Sequence, residues 1–71
     1  MEKEIRTVAD VRALLNRFGT FIYTGDTLGD LELLEEELDE LHQLGMIEQE
    51  TWVAARRILG RGRKKVKGKD S

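Results

Sequence analysis

Residues 26–45 read DTLGDLELLEEELDELHQLG, and their apolar positions follow the period of an amphipathic α-helix. Leucines recur at intervals of three or four residues: Leu28, Leu31, Leu34, Leu38, Leu41 and Leu44. Glutamate and aspartate fill the remaining faces, and Gly45 supplies the left-handed residue that commonly follows a helix. We therefore predict a helix over about residues 28–44 with its leucine stripe in the core.

A shorter helix is predicted before it, over about residues 8–18. Thr7 and Asp10 have the spacing of a capping box, with aspartate in the position that glutamate usually holds. One face of this helix is apolar, and Gly19 follows its last turn. The apolar positions are Val8, Val11, Leu14, Leu15 and Phe18.

A third helix is predicted over about residues 49–60, with Trp52, Ala55, Ile58 and Leu59 as its apolar stripe. Trp52, like Phe18 of the first helix, is predicted to lie in the core. Glycines at positions 60 and 62 disfavour further helix, because glycine costs ~1 kcal/mol relative to alanine in a helix. Residues 61–71 are therefore predicted to form a flexible basic tail.

The connection between the first two helices, GTFIYTGDTLG at residues 19–29, is unusually long for a helical bundle. Its β-branched and aromatic centre favours an extended backbone. We expect an extended link packed on the bundle, with Phe21 and Tyr23 pointing to opposite sides, so that one of them is accessible. The fold class is then all-α, a three-helix bundle over residues 1–60 followed by the tail.

The chain offers little for catalysis or metal binding. It has 71 residues, no cysteine and a single histidine, His42, so a structural zinc site is implausible. Ser71 is the only serine, and no glycine loop has the spacing of a phosphate-binding loop. We predict no enzymatic activity, no cofactor and no small-molecule substrate.

The start of the chain, MEKE, does not resemble a signal peptide, and no apolar run approaches the ~20 residues that span a bilayer. We therefore expect a soluble cytoplasmic protein that does not use a membrane.

Charge is segregated along the chain. Residues 1–25 carry four basic and three acidic side chains, and residues 26–50 carry ten acidic side chains with no lysine or arginine. Residues 51–71 carry eight basic side chains and one acidic one. Such asymmetry bears on the choice of partners rather than on the fold.

Four short runs carry a resemblance to a known family: FGTFIYTG at residues 18–25, DLELL at 30–34, ELDEL at 37–41 and GMI at 45–47. Over about residues 8–60 the chain resembles the YqgQ-like family of small cytoplasmic proteins from low-GC Gram-positive bacteria. The resemblance implies a three-helix bundle and a role in binding single-stranded nucleic acid.

The basic residues and one aromatic residue of the chain suit such a ligand. Arginine and lysine neutralise phosphates, and an exposed aromatic ring stacks on bases. Few polar side chains are available near these residues to read base edges, so low sequence specificity is expected for single-stranded RNA or DNA. The predicted nucleic-acid-binding residues are Arg12, Arg17, Tyr23, Arg56, Arg57, Arg61, Arg63, Lys64 and Lys65.

Protein interaction is the alternative function. Leu33 and Val53 lie off the apolar stripes of their helices, and exposed together they would form a small apolar patch. The acidic helix could also meet a basic partner or the basic end of a second copy, which gives weak self-association. Charge pattern and periodicity leave both functions open.

Overall fold

A computed structural model describes residues 4–69, with side chains described for residues 4–66. It contains three helices, α1 (Val8–Arg17), α2 (Thr27–Gln43) and α3 (Gln49–Lys69), and no strand within the described residues. The predicted all-α three-helix bundle is confirmed. None of these helices is long and apolar enough to cross a membrane.

The ends of α1 and α2 follow the predicted capping. Thr7 and Asp10 form the capping box reciprocally, since the amide of Asp10 donates to the Thr7 hydroxyl over 3.2 Å and the amide of Thr7 donates to the Asp10 carboxylate over 3.1 Å. Gly19 and Gly45 follow α1 and α2 with φ of 88° and 74°, in the left-handed region that glycine adopts without steric cost.

A leucine-rich core joins the three helices. Its buried members come from all of them: Val11, Leu15, Leu31, Leu34, Leu38, Leu41, Ala55 and Leu59. The central leucines of the α2 stripe are thus buried as predicted. Two end positions are not, because Leu28 is half-buried and Leu44, at the cap after the last turn of α2, is 66% exposed.

Two aromatic residues that were predicted to lie in the core are less buried than expected. Phe18 is the cap residue of α1 and is 38% exposed, because the chain turns away from the core at this point. Trp52 is half-buried and packs at the edge of the core, with its indole N–H donating to Asp39 Oδ1 over 2.8 Å.

The long link allows α1 and α2 to lie side by side and parallel to each other. Near the end of α3, a Cβ at Gly62 would lie 3.3 Å from Leu31 and 3.6 Å from Val8, which are early residues of α2 and α1. At the start of α3, the Trp52 ring stacks on His42, a late residue of α2. Both α1 and α2 therefore run antiparallel to α3, and the link returns along α1 to start α2.

The third helix is longer than predicted. The predicted end near residue 60 was wrong, because α3 continues to Lys69. Residues 61–69 therefore belong to the helix rather than to a tail. Tertiary contacts stabilise the added turns against the low helix propensity of glycine. Gly62 packs closely on Leu31, Arg63 Nε lies 2.8 Å from Glu35 Oε2, and Val66 packs against the core. Residues 70 and 71 of the predicted tail lie outside the described residues.

Candidate nucleic-acid interface

Four of the predicted binding residues form one outward surface, which we call the basic face of α3: Arg57, Arg61, Lys64 and Lys65. Their spacing of four, three and one residues places them on one side of the helix. All four are exposed, and none makes an ion pair or side-chain hydrogen bond within the part of the chain that the structure describes. Their charge is therefore open to a ligand.

Arg6 extends this basic face, although it is not among the binding residues predicted from the sequence. A shallow hollow between the start of α1 and the end of α3 is lined in part by Arg6, Arg61 and Lys65, and a neighbouring hollow by Arg6 and Arg57. Arg6 also pairs with exposed Glu4 over 3.0 Å. Only the packing of the chain start against α3 reveals this placement, because Arg6 precedes the first helix in sequence.

Arg56 and Arg63 point to the other side of α3, where they face the acids of α2. Arg56 Nη1 lies 3.1 Å from both oxygens of Asp39, and Nη2 lies 3.7 Å from Glu35. Arg63 Nε is 2.8 Å from Glu35 in an ion pair that lacks hydrogen-bond geometry, with both atoms shielded from solvent. These two arginines join α2 to α3 and are already neutralised within the chain.

Arg12, another predicted binding residue, contacts the link. Its Nη1 donates to the carbonyl oxygen of Ile22 over 2.6 Å, and its Nη2 lies 3.4 Å from Asp30 Oδ2. Thr24 completes the arrangement, because its amide and its hydroxyl donate to Asp30 Oδ1 over 2.8 and 2.6 Å. The link is thereby fastened to both α1 and α2.

Asp30 is the single buried charged residue among those described, with 2% of its surface exposed. The pKa of its carboxyl is lowered, first by the hydrogen bond from the Thr24 hydroxyl and then by the bond from the Thr24 amide. The nearby Arg12 guanidinium adds to the effect, while burial opposes it. Asp30 therefore stays ionised and keeps its hydrogen bonds at neutral pH.

Phe21 and Tyr23 are both exposed, by 75% and 85%, which corrects the expectation that they point to opposite sides. Residues two positions apart on an extended chain project to the same side, and the intervening Ile22 packs against the core. The link thus presents two aromatic rings on its outer side.

The aromatic rings and the basic face of α3 lie on different flanks of α1. Arg12 contacts the link, whereas Leu14 borders a small hollow shared with Thr51 of α3. These two residues are about 200° apart around the helix axis. The structure therefore does not join Tyr23 to Arg57 in a single patch.

Arg17 is exposed at the end of α1 and borders the same small hollow, together with Phe18 and Met46. It lies on the flank of α1 that faces α3, near the start of that helix. Arg57 and Arg61 lie about 9 and 15 Å farther along α3 from the level of Thr51, at 1.5 Å per residue. Arg17 is thus on the same side of the bundle as the basic face, but at the other end.

Trp52 is poorly placed for base stacking. The His42 ring covers it with a centroid distance of 4.0 Å and an interplanar angle of 5°, and the Arg56 guanidinium lies 5.6 Å from its centroid. His42 is thus a packing partner of Trp52. Among the described residues, no group of three or more His, Cys, Asp or Glu side chains is arranged to hold a metal ion.

Comparison with known proteins places this chain in a family. The family model YqgQ-like matches residues 5–65. The chain is 40% identical over 55 residues to Uncharacterized protein YqgQ of Bacillus subtilis (strain 168), which covers 78% of each chain. No solved structure matches. On the family match and this relative, the chain belongs to the YqgQ-like family.

Proposed function

We propose that this protein is a non-catalytic module of the cytoplasm that binds single-stranded nucleic acid with low sequence specificity. The observation that carries the proposal is the basic face of α3, whose four cations are exposed and unpaired within the described residues. Arg6 borders that face but pairs with Glu4, so four unpaired positive charges are available to phosphates.

The charge on the rest of the surface limits where a nucleic-acid strand can bind on the bundle. Residues 26–50 carry ten acids and no lysine or arginine, and α2 presents several of these acids to solvent. Because these carboxylates repel phosphate, a strand is favoured only on the side of α3 that faces away from α2. Phosphate contacts of this kind carry no base information, which supports low sequence specificity.

Exposed aromatic rings are the reason that we propose single-stranded rather than duplex nucleic acid as the ligand. Unpaired bases can stack on Tyr23 or Phe21, and such stacking contributes ~1–3 kcal/mol per base. Since these rings lie on another flank of α1, we propose that Tyr23 acts on a part of the strand that has left the basic face.

The test is fluorescence anisotropy of a labelled oligothymidine of about 12 nucleotides, titrated with protein at several salt concentrations. We expect binding that weakens as the salt concentration rises. Tyr23→Ala should bind more weakly, but with the same salt dependence, because the ring carries no charge. A duplex of the same length should bind less tightly. Absence of binding at low salt would refute the proposal.

Protein interaction is the second candidate function, and one observation favours it. α2 exposes Leu33 by 41% among its acids, and Leu44, the cap residue that follows the helix, is 66% exposed. Exposed apolar side chains on an acidic helix suit an adaptor or a self-associating protein.

A further inference from the structure

The outer side of α2 carries an apolar residue inside a row of acids, which we call the acidic face of α2: Glu32, Leu33, Glu36 and Glu40. All four side chains are exposed. The three glutamates make no ion pair within the described residues, in contrast to Glu35, which binds arginines of α3. This face therefore carries unpaired carboxylates beside a partly exposed leucine.

The basic face of α3 borders a shallow hollow, which we call the notch. Arg57, Gly60, Arg61 and Lys64 stand at positions i, i+3, i+4 and i+7, the four positions that frame a hole on a helix surface. These four residues line the notch together with Arg63, and a Cβ built at Gly60 meets no atom within 4 Å. The arginine stems give the notch apolar walls, with cationic ends above them.

The two faces also match in length and periodicity. Glu32, Glu36 and Glu40 are four residues apart, and so are Arg57, Arg61 and Lys65. Each row spans about 12 Å along its helix. Rows of residues spaced by four are the ridges that interdigitate in the most common class of helix packing.

We propose that the acidic face of α2 binds the basic face of α3 in a second copy of this chain, with Leu33 inserted over Gly60. The glutamates around Leu33 then pair with the cations that frame the notch. This contact cannot form within one copy, because both faces point outward from the bundle, whereas the inward pairs of α2 and α3 use Glu35, Asp39, Arg56 and Arg63.

Such a contact joins two different surfaces, so an open assembly keeps one free acidic face at one end and one free basic face at the other unless it closes into a ring. Exposed ion pairs contribute little each and are screened by salt. We therefore expect weak association that is visible at low ionic strength and lost at high ionic strength.

This inference goes beyond the proposed function, because the contact between copies would regulate nucleic-acid binding. The acidic face of a second copy and a phosphate backbone would occupy the same cations, so self-association and nucleic-acid binding exclude each other. Nucleic acid should therefore dissociate the assembly. The self-contact itself does not depend on nucleic-acid binding, and the two can fail separately.

The test is sedimentation velocity over a range of protein concentrations at about 20 mM and about 300 mM salt, with two charge-reversed variants. Glu36→Lys with Glu40→Lys makes both faces basic, and Arg57→Glu with Arg61→Glu makes both faces acidic. Each variant alone should associate at least about tenfold more weakly than the native chain, because attraction becomes repulsion. An equimolar mixture should associate again, since the new basic face complements the new acidic one.

Two leucine variants serve as a matched pair. Leu33→Gln should abolish the association, whereas Leu44→Gln, which changes a more exposed leucine outside the acidic face, should leave it intact. Leu33→Gln should also keep its affinity for the labelled oligonucleotide, which separates this inference from the proposed function. A native chain that stays monomeric at both salt concentrations would overturn the inference, as would a mixture of the reversed variants that fails to associate.

Discussion

The hydroxyl of Thr24 donates a hydrogen bond of 2.6 Å to Oδ1 of Asp30, and the amide of the same threonine donates to the same oxygen over 2.8 Å. This pair fastens the last extended residues of the link to the first turn of α2. Arg12 approaches the other carboxylate oxygen from α1. A buried carboxylate thus determines where α2 starts relative to α1.

The carboxylate of Asp30 should make stability depend on pH. Its pKa is lowered in the folded chain, so its contribution is complete above the unfolded value of about 4. The contribution is lost as pH falls through that value towards the lowered pKa of the folded state. Asp30→Asn should therefore be less stable than the native chain at neutral pH, and the difference should shrink below about pH 4.

Urea unfolding followed by circular dichroism at a series of pH values measures this difference. Glu36→Gln removes an exposed carboxylate outside the ion pairs and serves as the control for charge. A constant difference between the native chain and Asp30→Asn from neutral to acidic pH would show that Asp30 acts through packing alone.

Leu38 should be among the most costly positions to truncate. Its side chain is fully buried between the helices, and Leu38→Ala should lower the free energy of unfolding by ~2–5 kcal/mol through lost apolar contacts and the remaining cavity. Leu44→Ala is the matched control, because this leucine is mostly exposed and should change stability by less than ~0.5 kcal/mol. Equal losses in urea unfolding would contradict the position of the core.

Local sequence signals predict α1 and α2 well. The Thr7–Asp10 box and the glycines at positions 19 and 45 define helix ends through bonds between near neighbours, so they can be identified without tertiary structure. The leucine period of α2 likewise follows from helix geometry. Leu28 and Leu44 are the exceptions, because they lie at the two ends of the helix and are not fully covered by the other helices.

Features that depend on packing were not predictable in this way. α3 passes Gly60 and Gly62 because distant residues stabilise it, Leu31 and Glu35 among them, and local propensity cannot reveal such contacts. The extended link was predicted. The ion pair between Arg12 and Asp30, which are 18 residues apart, was not predicted.

The predicted site residues divide according to the face of the helix they occupy. Arg56 and Arg57 are adjacent in sequence, yet Arg56 pairs with Asp39 while Arg57 faces solvent. Successive residues differ by 100° around a helix, so the division requires knowing which side of α3 packs on α2. Composition identified the basic segment, and packing determines which of its charges are open to a ligand.

The most direct test of the proposed function compares two double variants that lose the same charge. Arg57→Ala with Arg61→Ala removes cations of the basic face, whereas Arg56→Ala with Arg63→Ala removes cations already paired with α2. Both are titrated against the labelled oligonucleotide at several salt concentrations, with circular dichroism to verify folding. We predict that the first variant binds at least about tenfold more weakly and that its salt slope falls by about 1.4, while the second retains the native slope. Equal effects of the two variants, or no effect of the first, would contradict binding on the basic face of α3.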